Sequence, residues 1–336
     1  MENIGDHKIH TIIYNFKYIM NNIFVLSDQE KKEIDELQKS LIQYDPFKDM
    51  ISFLSMASLL SKQLPESLKT YLHKLRNGTL KNDILVIKNL PLPDAIATPR
   101  NNKSSIGETT NIARCQAIIN QYLGEMVAYE AEGNGHLFQD MVPNESLKNT
   151  QTSLGSSTEL ELHTEQAFSK LKPDYLSLAC IKGDSTAKTY YYHVNSILNN
   201  ISFDSLMLLG EDLWTIGVDL SFTMNGCKEK RRGPLPIYKN GNLIFDQDLM
   251  EGIDEESESI KQEIIGLYIK HRNHIVLEEG NLLIMNNNKL VHGRSSFFPN
   301  FNEHDRFVIR TFIQNDLGKV QDYFQEHTRI IQKESS

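Results

Sequence analysis

The chain has 336 residues, with 35 basic and 44 acidic side chains, a net charge of −9 and 40% hydrophobic residues. This length and apolar content suit one large domain or two small ones, and the negative charge opposes binding to nucleic acid or to anionic membranes. Polar residues interrupt the apolar stretch from Ile12 to Leu26, so the sequence predicts neither a signal peptide nor a transmembrane span and favours a cytoplasmic protein. Three widely spaced cysteines predict ordinary reduced thiols: Cys115, Cys180 and Cys227.

The first quarter of the chain is predicted to be helical. Ser27 begins a capping-box pattern with a glutamate three positions later, and apolar residues then recur at helical intervals over 28–43. A second amphipathic helix is predicted over 47–61. Pro65 suits the first turn of a third helix, and Gly78 is placed to end it.

Strand patterns dominate the rest of the chain. A β-branched run at 84–87 predicts the first buried strand, a loop follows over 90–105, and a helical pattern covers 110–127. One further helix, from Ile260 to Arg272, interrupts the later strands. The other main strands are predicted at 175–181, 242–245, 281–285 and 307–313.

One alternating segment carries two groups that bind metals. Period-two alternation over Glu159–Glu165 places His163 and Glu165 on the same face of a strand. A lone His-x-Glu more often belongs to a half-exposed strand whose polar face meets water. His292 makes a metal site the better interpretation, because it follows a sequence pattern typical of a buried strand. Two imidazoles with one carboxylate can hold iron(II) and leave adjacent coordination positions open. The set predicts an oxygenase.

Two arginines follow the second histidine. Arg306 lies in an apolar run 14 positions after His292, where a buried guanidinium needs a carboxylate partner. Arg310 shares its strand face by even spacing. Two arginines that face one cavity predict two anionic groups among the ligands.

The separation of the two histidines also constrains the fold. They come from distant strands, so the β core must fold back to join them, as a barrel or a double-sheet jelly roll can. Without an internal repeat or a linker, one α+β domain over 1–336 is the simplest organisation. A charged excursion in the core is interpreted either as a lid or as a surface loop. The predicted parts are a helical N-terminal layer (1–80), the β core with inserted helices (81–320), the excursion (222–236) and a C-terminal tail (321–336).

These motifs, in this order and spacing, resemble the clavaminate synthase-like branch of the iron(II)/2-oxoglutarate oxygenases. That branch includes hydroxylases of free arginine, asparagine and lysine. The resemblance implies a double-stranded β-helix, or jelly roll, as the core. It is carried by Leu162-His163-Thr164-Glu165-Gln166-Ala167-Phe168, Lys172-Pro173-Asp174-Tyr175-Leu176, Val291-His292-Gly293-Arg294 and Asp305-Arg306.

The resemblance also implies cofactors and their binding residues. His163, Glu165 and His292 would be the iron(II) ligands. Arg306 would bind the distal carboxylate of 2-oxoglutarate, and Thr189 would assist it. The implied reaction uses dioxygen to hydroxylate an unactivated carbon, while the protein fixes ligand geometry and substrate orientation.

The substrate implied by the resemblance is a free basic amino acid. Arg310 would bind its carboxylate, and Gln139 its backbone atoms. Asp246 and Asp248 lie two apart, so an extended segment directs both carboxylates the same way, although an acidic turn in solvent has the same pattern. We predict that the substrate is L-lysine, hydroxylated at C3 or C4. L-arginine is the second candidate substrate and asparagine the third.

Other functions and other histidines remain as alternatives. A non-catalytic small-molecule binder on the same fold would keep the arginines but need not keep all three metal ligands. A metal-dependent hydrolase or isomerase on a cupin-like barrel would not need the arginine 14 residues after the last ligand. His271 and His274 have metal-binding spacing, but cationic groups are favourable at a helix C-terminus. His304 falls in a polar turn. The remaining histidines singled out are interpreted as structural: His136 and His193.

Overall fold

The computed structural model describes residues 22–219, 222–223, 227 and 229–332. Parts of three sequence predictions lie outside the described residues, namely 1–21 of the helical layer, 224–226 and 228 of the excursion, and 333–336 of the tail. Within the described ranges, no helix is long and apolar enough to cross a membrane. The α-helices there are α1 (Asp28–Lys39), α2 (Met50–Ser61), α3 (Glu66–Arg76), α4 (Asn111–Leu123), α5 (Val194–Asn200), α6 (Phe203–Leu208) and α7 (Glu255–His271).

The strands form two main sheets and two small ones. The larger main sheet has the order β1-β2-β14-β6-β16-β3-β17, and β4 also pairs with β16; the other has the order β13-β7-β15-β5. The bounds are β1 (Ile23–Val25), β2 (Ile84–Lys88), β3 (Glu125–Tyr129), β4 (Gln139–Met141), β5 (Leu160–His163), β6 (Tyr175–Lys182), β7 (Lys188–His193), β8 (Trp214–Gly217), β9 (Arg231–Leu235), β10 (Tyr238–Lys239), β11 (Asn242–Leu243), β12 (Met250–Gly252), β13 (Asn273–Val276), β14 (Leu282–Asn286), β15 (Leu290–Arg294), β16 (Phe307–Gln314) and β17 (Ile330–Ile331).

The N-terminal helices cover one face of the larger sheet. The Ser27 side chain accepts a hydrogen bond from the Glu30 backbone N–H, and the Glu30 carboxylate accepts one from the Ser27 N–H, which confirms the predicted capping box. Helix α1 nevertheless ends at Lys39, four residues before the predicted end. One apolar cluster joins side chains of α1 to α4 to those of β2, β14 and β16, including Ile34, Phe53, Leu68, Ile118, Leu85, Ile284 and Ile309.

Alternation along β14 and β16 divides the core into layers. On β16, Ile309 packs with the helices, whereas Val308 and Phe312 belong to a second cluster that also contains Tyr191 and Leu290 of the smaller main sheet. The two main sheets therefore share an apolar interior. The outer face of the smaller sheet packs in a third cluster with α5, α7 and the small sheet β12-β8-β9.

The predicted helix over 110–127 is wrong beyond Leu123. Gly124 ends the helix, and a Cβ at this position would meet the Gln314 carbonyl oxygen at 2.6 Å. The following residues pair with β16, with Met126 opposite Ile313. Apolar residues at this junction fit a helix and a strand equally well by pattern, and the approach of β16 selects the strand.

The predicted excursion at 222–236 contains more regular structure than its sequence indicates. Residues Arg231–Leu235 form β9, which pairs with Trp214–Gly217. Arginine, glycine and proline give this strand no alternating apolar pattern, which explains why the sequence favoured a loop. Phe222 packs edge-on against Phe168, with ring centroids 4.8 Å apart.

Candidate functional site

Strand register brings the two predicted histidine ligands together. His292 on β15 is the cross-strand partner of His163 on β5, and their ring centroids are 4.3 Å apart. Glu165 follows two residues after His163, and its Oε2 lies 3.7 Å from His292 Nε2. One donor atom from each residue lies within 4.8 Å of the others, and across the described ranges this is the group of three or more such side chains that could hold a metal ion.

The protonation states of this triad suit a divalent cation. His163 Nδ1 donates to the Glu161 carbonyl oxygen at 2.7 Å, so Nε2 remains as the lone-pair donor. Burial, followed by the charge of His163, lowers the pKa of His292 to about 4. Burial alone would raise the pKa of Glu165, but Arg310 and His292 outweigh it and hold that pKa at about 2. Glu165 thus offers an ionised carboxylate, His292 a neutral imidazole and His163 its Nε2 atom, a donor set that fits iron(II).

Asn287 holds the backbone of Glu165 in place. Its Oδ1 accepts a hydrogen bond from the Glu165 N–H at 2.8 Å, and its Nδ2 donates to the Glu165 carbonyl oxygen at 3.0 Å. Nδ2 also donates to the Pro173 carbonyl oxygen at 2.8 Å. The side chain is 1% exposed, so these bonds form in a dry environment. These hydrogen bonds fix the backbone position from which the Glu165 side chain extends.

We expect Asn287→Ala to weaken metal binding by about tenfold or more, because groups that orient ligands typically contribute that much to metal affinity. The dissociation constant for Mn(II), measured by electron paramagnetic resonance, tests this. Asn286→Ala is the matched control, since the Asn286 side chain bonds only to the Asn288 N–H among the described contacts. Equal Mn(II) affinity in the two variants would contradict the role of Asn287 in positioning Glu165.

Arg310 connects the triad to two further polar side chains. Its Nη1 donates to Glu165 Oε1 at 3.2 Å, and its Nε donates to Gln139 Oε1 at 3.0 Å. Its Nη2 donates to Gln139 Oε1 and pairs with Glu132 Oε1. Gln166 Nε2 donates to the other Glu132 oxygen at 2.8 Å. The predicted substrate residues Gln139 and Arg310 therefore lie in one buried network beside the triad.

A cavity of about 300 Å³ connects this network with the predicted acidic pair. Its lining includes His163, Glu165, Arg310, Asp246 and Asp248. Asp246 forms a backbone bridge with His163, whereas Arg310 contacts Glu165. The acidic pair and the arginine therefore adjoin different members of the triad.

The acidic side of the cavity is held by backbone hydrogen bonds. Asp246 Oδ1 accepts from the N–H groups of Asp248 at 3.0 Å and Leu249 at 2.8 Å. Burial raises the pKa of Asp246. Glu161, two residues before His163 on the same strand face, also lines the cavity; burial, followed by the charges of Asp248 and Asp246, raises its pKa. The cavity thus has a side with three carboxylates.

Arg306 lies deeper, between the main sheets. It is 8% exposed, and its guanidinium lies over the Phe297 ring at 5.9 Å. Burial lowers its pKa. Arg294 lies over the same ring at 5.0 Å, and burial together with Arg306 lowers the pKa of Arg294 to about 9. Thr189, 5% exposed, is the cross-strand partner of Arg294. Two buried cations and a hydroxyl-bearing residue thus occur together, a set that fits a carboxylate ligand.

The other histidines lie outside the triad. His136 Nδ1 bonds to Glu108 at 2.8 Å, and His193 Nε2 bonds to Asp83 at 2.8 Å, so both are satisfied structural groups as predicted. The alternative pair His271 and His274 is exposed, as is His304. The cysteines are free thiols, as predicted.

The sequence analysis missed four residues of the site. Glu161 had a usable signal, because the alternation that groups His163 with Glu165 includes it. Arg294 stood in the quoted segment Val291–Arg294 and Asn287 lies just after the strand predicted at 281–285, but neither had an assigned role. Glu132 lies 31 positions before His163 and had no local signal, since only the approach of Arg310 gives it a function.

Comparisons with known proteins complete the description. No family model matches the chain. The chain is 39% identical over 317 residues to an L-lysine 3-hydroxylase of Catenulispora acidiphila, covering 92% of this chain and 88% of the relative. It is 25% identical over 289 residues to clavaminate synthase 2 of Streptomyces clavuligerus, covering 81% and 86%. The structure of an asparagine oxygenase in complex with Fe(II), 3-hydroxyasparagine and succinate superposes with a TM-score of 0.85 at 24% identity, covering 93% and 99% of the two chains, which shows a shared fold.

Proposed function

This chain belongs to the clavaminate synthase-like iron(II)/2-oxoglutarate oxygenases, and we propose on that premise that it hydroxylates free L-lysine at C3. The observation that carries the proposal is 39% identity, over nearly the whole chain, to a lysine 3-hydroxylase. L-arginine is the second candidate substrate from the sequence, and the experiment below compares its conversion with that of L-lysine. The non-catalytic alternative is set aside by membership of an enzyme family.

His163, Glu165 and His292 are the residues proposed to hold iron(II). Glu165 Oε1 accepts from Arg310, whereas Oε2 faces His292, so Oε2 is the proposed ligand atom. When bound, the iron supplies the activation of dioxygen that an unactivated carbon requires. The protein holds His292 unprotonated and the Glu165 carboxylate ionised, as metal binding needs.

Arg306 is proposed to bind the distal carboxylate of 2-oxoglutarate, with Thr189 beside it. The described residues place no carboxylate within ion-pairing distance of Arg306, and none of them shares a hydrogen bond with its guanidinium. A buried guanidinium without such a partner is costly, and a carboxylate ligand removes that cost. This supports co-substrate binding between the two main sheets.

The amino-acid substrate is proposed to span the cavity. Arg310 and Gln139 would bind its backbone end, where Nη1 of Arg310 keeps a second N–H beyond its bond to Glu165. The negative charge of Glu132 beside Arg310 suits the α-ammonium. Asp246 and Asp248 would bind the side-chain ammonium. The substrate carbons between these two ends would then lie next to the triad.

The acidic side favours lysine over arginine for a geometric reason. Two backbone N–H groups occupy Oδ1 of Asp246, so only Oδ2 is left for a ligand. A guanidinium binds best to both oxygens of one carboxylate, whereas an ammonium donates to single oxygens of several groups. Asp246, Asp248 and Glu161 together present that second arrangement.

Two further proposals concern the fold of the main sheets and the segment around Phe222. We propose that the two main sheets form the double-stranded β-helix, or jelly roll, of an α+β domain. We also propose that the segment around Phe222 closes over the substrate, because Asp219 and Phe222 both line the cavity.

We expect the purified protein with iron(II), 2-oxoglutarate and ascorbate to convert L-lysine to a product heavier by one oxygen. Its kcat/KM should exceed that for L-arginine by about tenfold or more, because the site's acceptors are placed for an ammonium. Mass spectrometry detects the product, and nuclear magnetic resonance identifies the hydroxylated carbon. Conversion of neither amino acid would contradict the proposal, and preferential conversion of arginine would overturn its substrate.

A further inference from the structure

Arg294 is a buried cation on the same strand face as His292. The two residues lie two apart on β15, and Leu290, two before His292, packs in the cluster between the main sheets. Val291, on the opposite face, packs in the outer cluster instead. Arg294 is 6% exposed. Its side chain therefore starts from the interior surface that carries the triad.

Protein contacts leave part of the Arg294 guanidinium unsatisfied. Its Nε donates to the Ser295 carbonyl oxygen at 3.3 Å, and its Nη1 donates to the Ser153 carbonyl oxygen at 3.2 Å. Its Nη2 is buried and has no hydrogen-bond partner. Within the described part of the chain, no carboxylate forms an ion pair with it. A buried charged donor of this kind is rare unless a ligand completes it.

A second guanidinium stands beside it. Arg306 and Arg294 lie over the same ring, that of Phe297, at 5.9 and 5.0 Å. Asp184 is an acidic group that acts electrostatically on Arg306, but its Oδ1 accepts from the N–H and the hydroxyl of Thr186 in a local turn. Like charges repel in a buried setting, and an anion bound between the two guanidinium groups would offset that repulsion.

We propose that Arg294 binds the distal carboxylate of 2-oxoglutarate together with Arg306, with Nη2 as the donating nitrogen. This inference rests on the proposed function and adds a binding residue to it. The carbonyl oxygens of Ser153 and Ser295 orient the guanidinium by holding its Nη1 and Nε. Nη2 is thereby presented to a carboxylate before the co-substrate arrives.

The test compares two keto acids on the iron(II)-loaded protein without oxygen. Both chelate iron(II) through their keto acid end, but pyruvate lacks the distal carboxylate of 2-oxoglutarate. The absorption band of the chelate reports binding of each, independently of turnover. We expect Arg294→Gln to raise the Kd for 2-oxoglutarate by about tenfold or more, because it removes a charge-assisted hydrogen bond. Arg294→Lys, which keeps the charge, should raise it less. Neither variant should change the Kd for pyruvate.

Three other results would contradict the role of Arg294 or the proposed function. A wild-type Kd for 2-oxoglutarate in both variants would overturn the inference and leave the proposed function intact. An equal loss of 2-oxoglutarate and pyruvate binding would also overturn it, because the residue would then act only through the structure of the site. If the unaltered protein forms the band with neither keto acid, the proposed function fails as well.

Discussion

Replacing His292 with alanine is expected to abolish hydroxylation, with a fall in kcat of about 10³-fold or more, because the iron proposed to activate dioxygen would lose one of its three proposed ligands. His292 is 7% exposed, and the described residues contain no other group of three or more such side chains that could hold a metal ion. Metal affinity should fall in parallel. Succinate formation and Mn(II) titration monitored by electron paramagnetic resonance measure the two effects separately.

The matched control for this variant is the double substitution of His271 and His274 by alanine. These histidines have metal-binding spacing in the sequence, but both are exposed and lie outside the triad. We expect the double variant to keep the metal affinity and activity of the unaltered protein. Activity retained by His292→Ala, or lost by the double variant, would place the metal elsewhere.

Replacing Arg306 with methionine is expected to have two opposite effects. The affinity for 2-oxoglutarate should fall by about 30-fold or more, since loss of a buried charge from a charge pair costs about 2 kcal/mol or more. The metal-free protein without co-substrate should become more stable by about 1 kcal/mol, because an uncompensated buried guanidinium is removed and Arg294 loses a repulsive neighbour. Stability therefore rises as function is lost.

Thermal unfolding and keto acid titration measure the two effects. The matched control is Arg272→Met, since Arg272 is a partly buried arginine that pairs with Glu159 and lies over Tyr190 at 3.7 Å. That variant should be less stable than the unaltered protein and should bind 2-oxoglutarate normally. A lower stability for Arg306→Met would mean that the protein already compensates the Arg306 charge, which contradicts the assigned role.

Parts of the site that follow local rules could be predicted from the sequence. Period-two alternation predicts His163 and Glu165 on one face, and both line the same cavity, although β5 ends at His163 and its pairing with β15 shifts register between Leu160 and His163. The same rule places Arg310 on the interior face of β16, and Arg306 lies one residue before that strand begins. The donor chemistry of the triad then indicates iron before any contact is known.

Parts that depend on approach between distant segments could not be predicted. Gly124 ends α4 because the Gln314 carbonyl lies where a side chain would be, and nothing near Gly124 in the sequence indicates that strand. Glu132 gains its place only when Arg310 arrives from 178 positions away. The arginine-rich strand β9 forms against β8 without an apolar pattern of its own. In each case the tertiary partner, not the local propensity, decides the structure.

The central claim is that His163, Glu165 and His292 hold one iron ion, and anomalous diffraction at the iron absorption edge tests it most directly. Crystals loaded with iron(II) and 2-oxoglutarate without oxygen should show one strong peak within bonding distance of a nitrogen of each histidine and an oxygen of Glu165. Density for the keto acid should extend from that peak toward Arg306. A peak at any other group of residues, or no peak at the triad in iron-loaded crystals, would contradict the account.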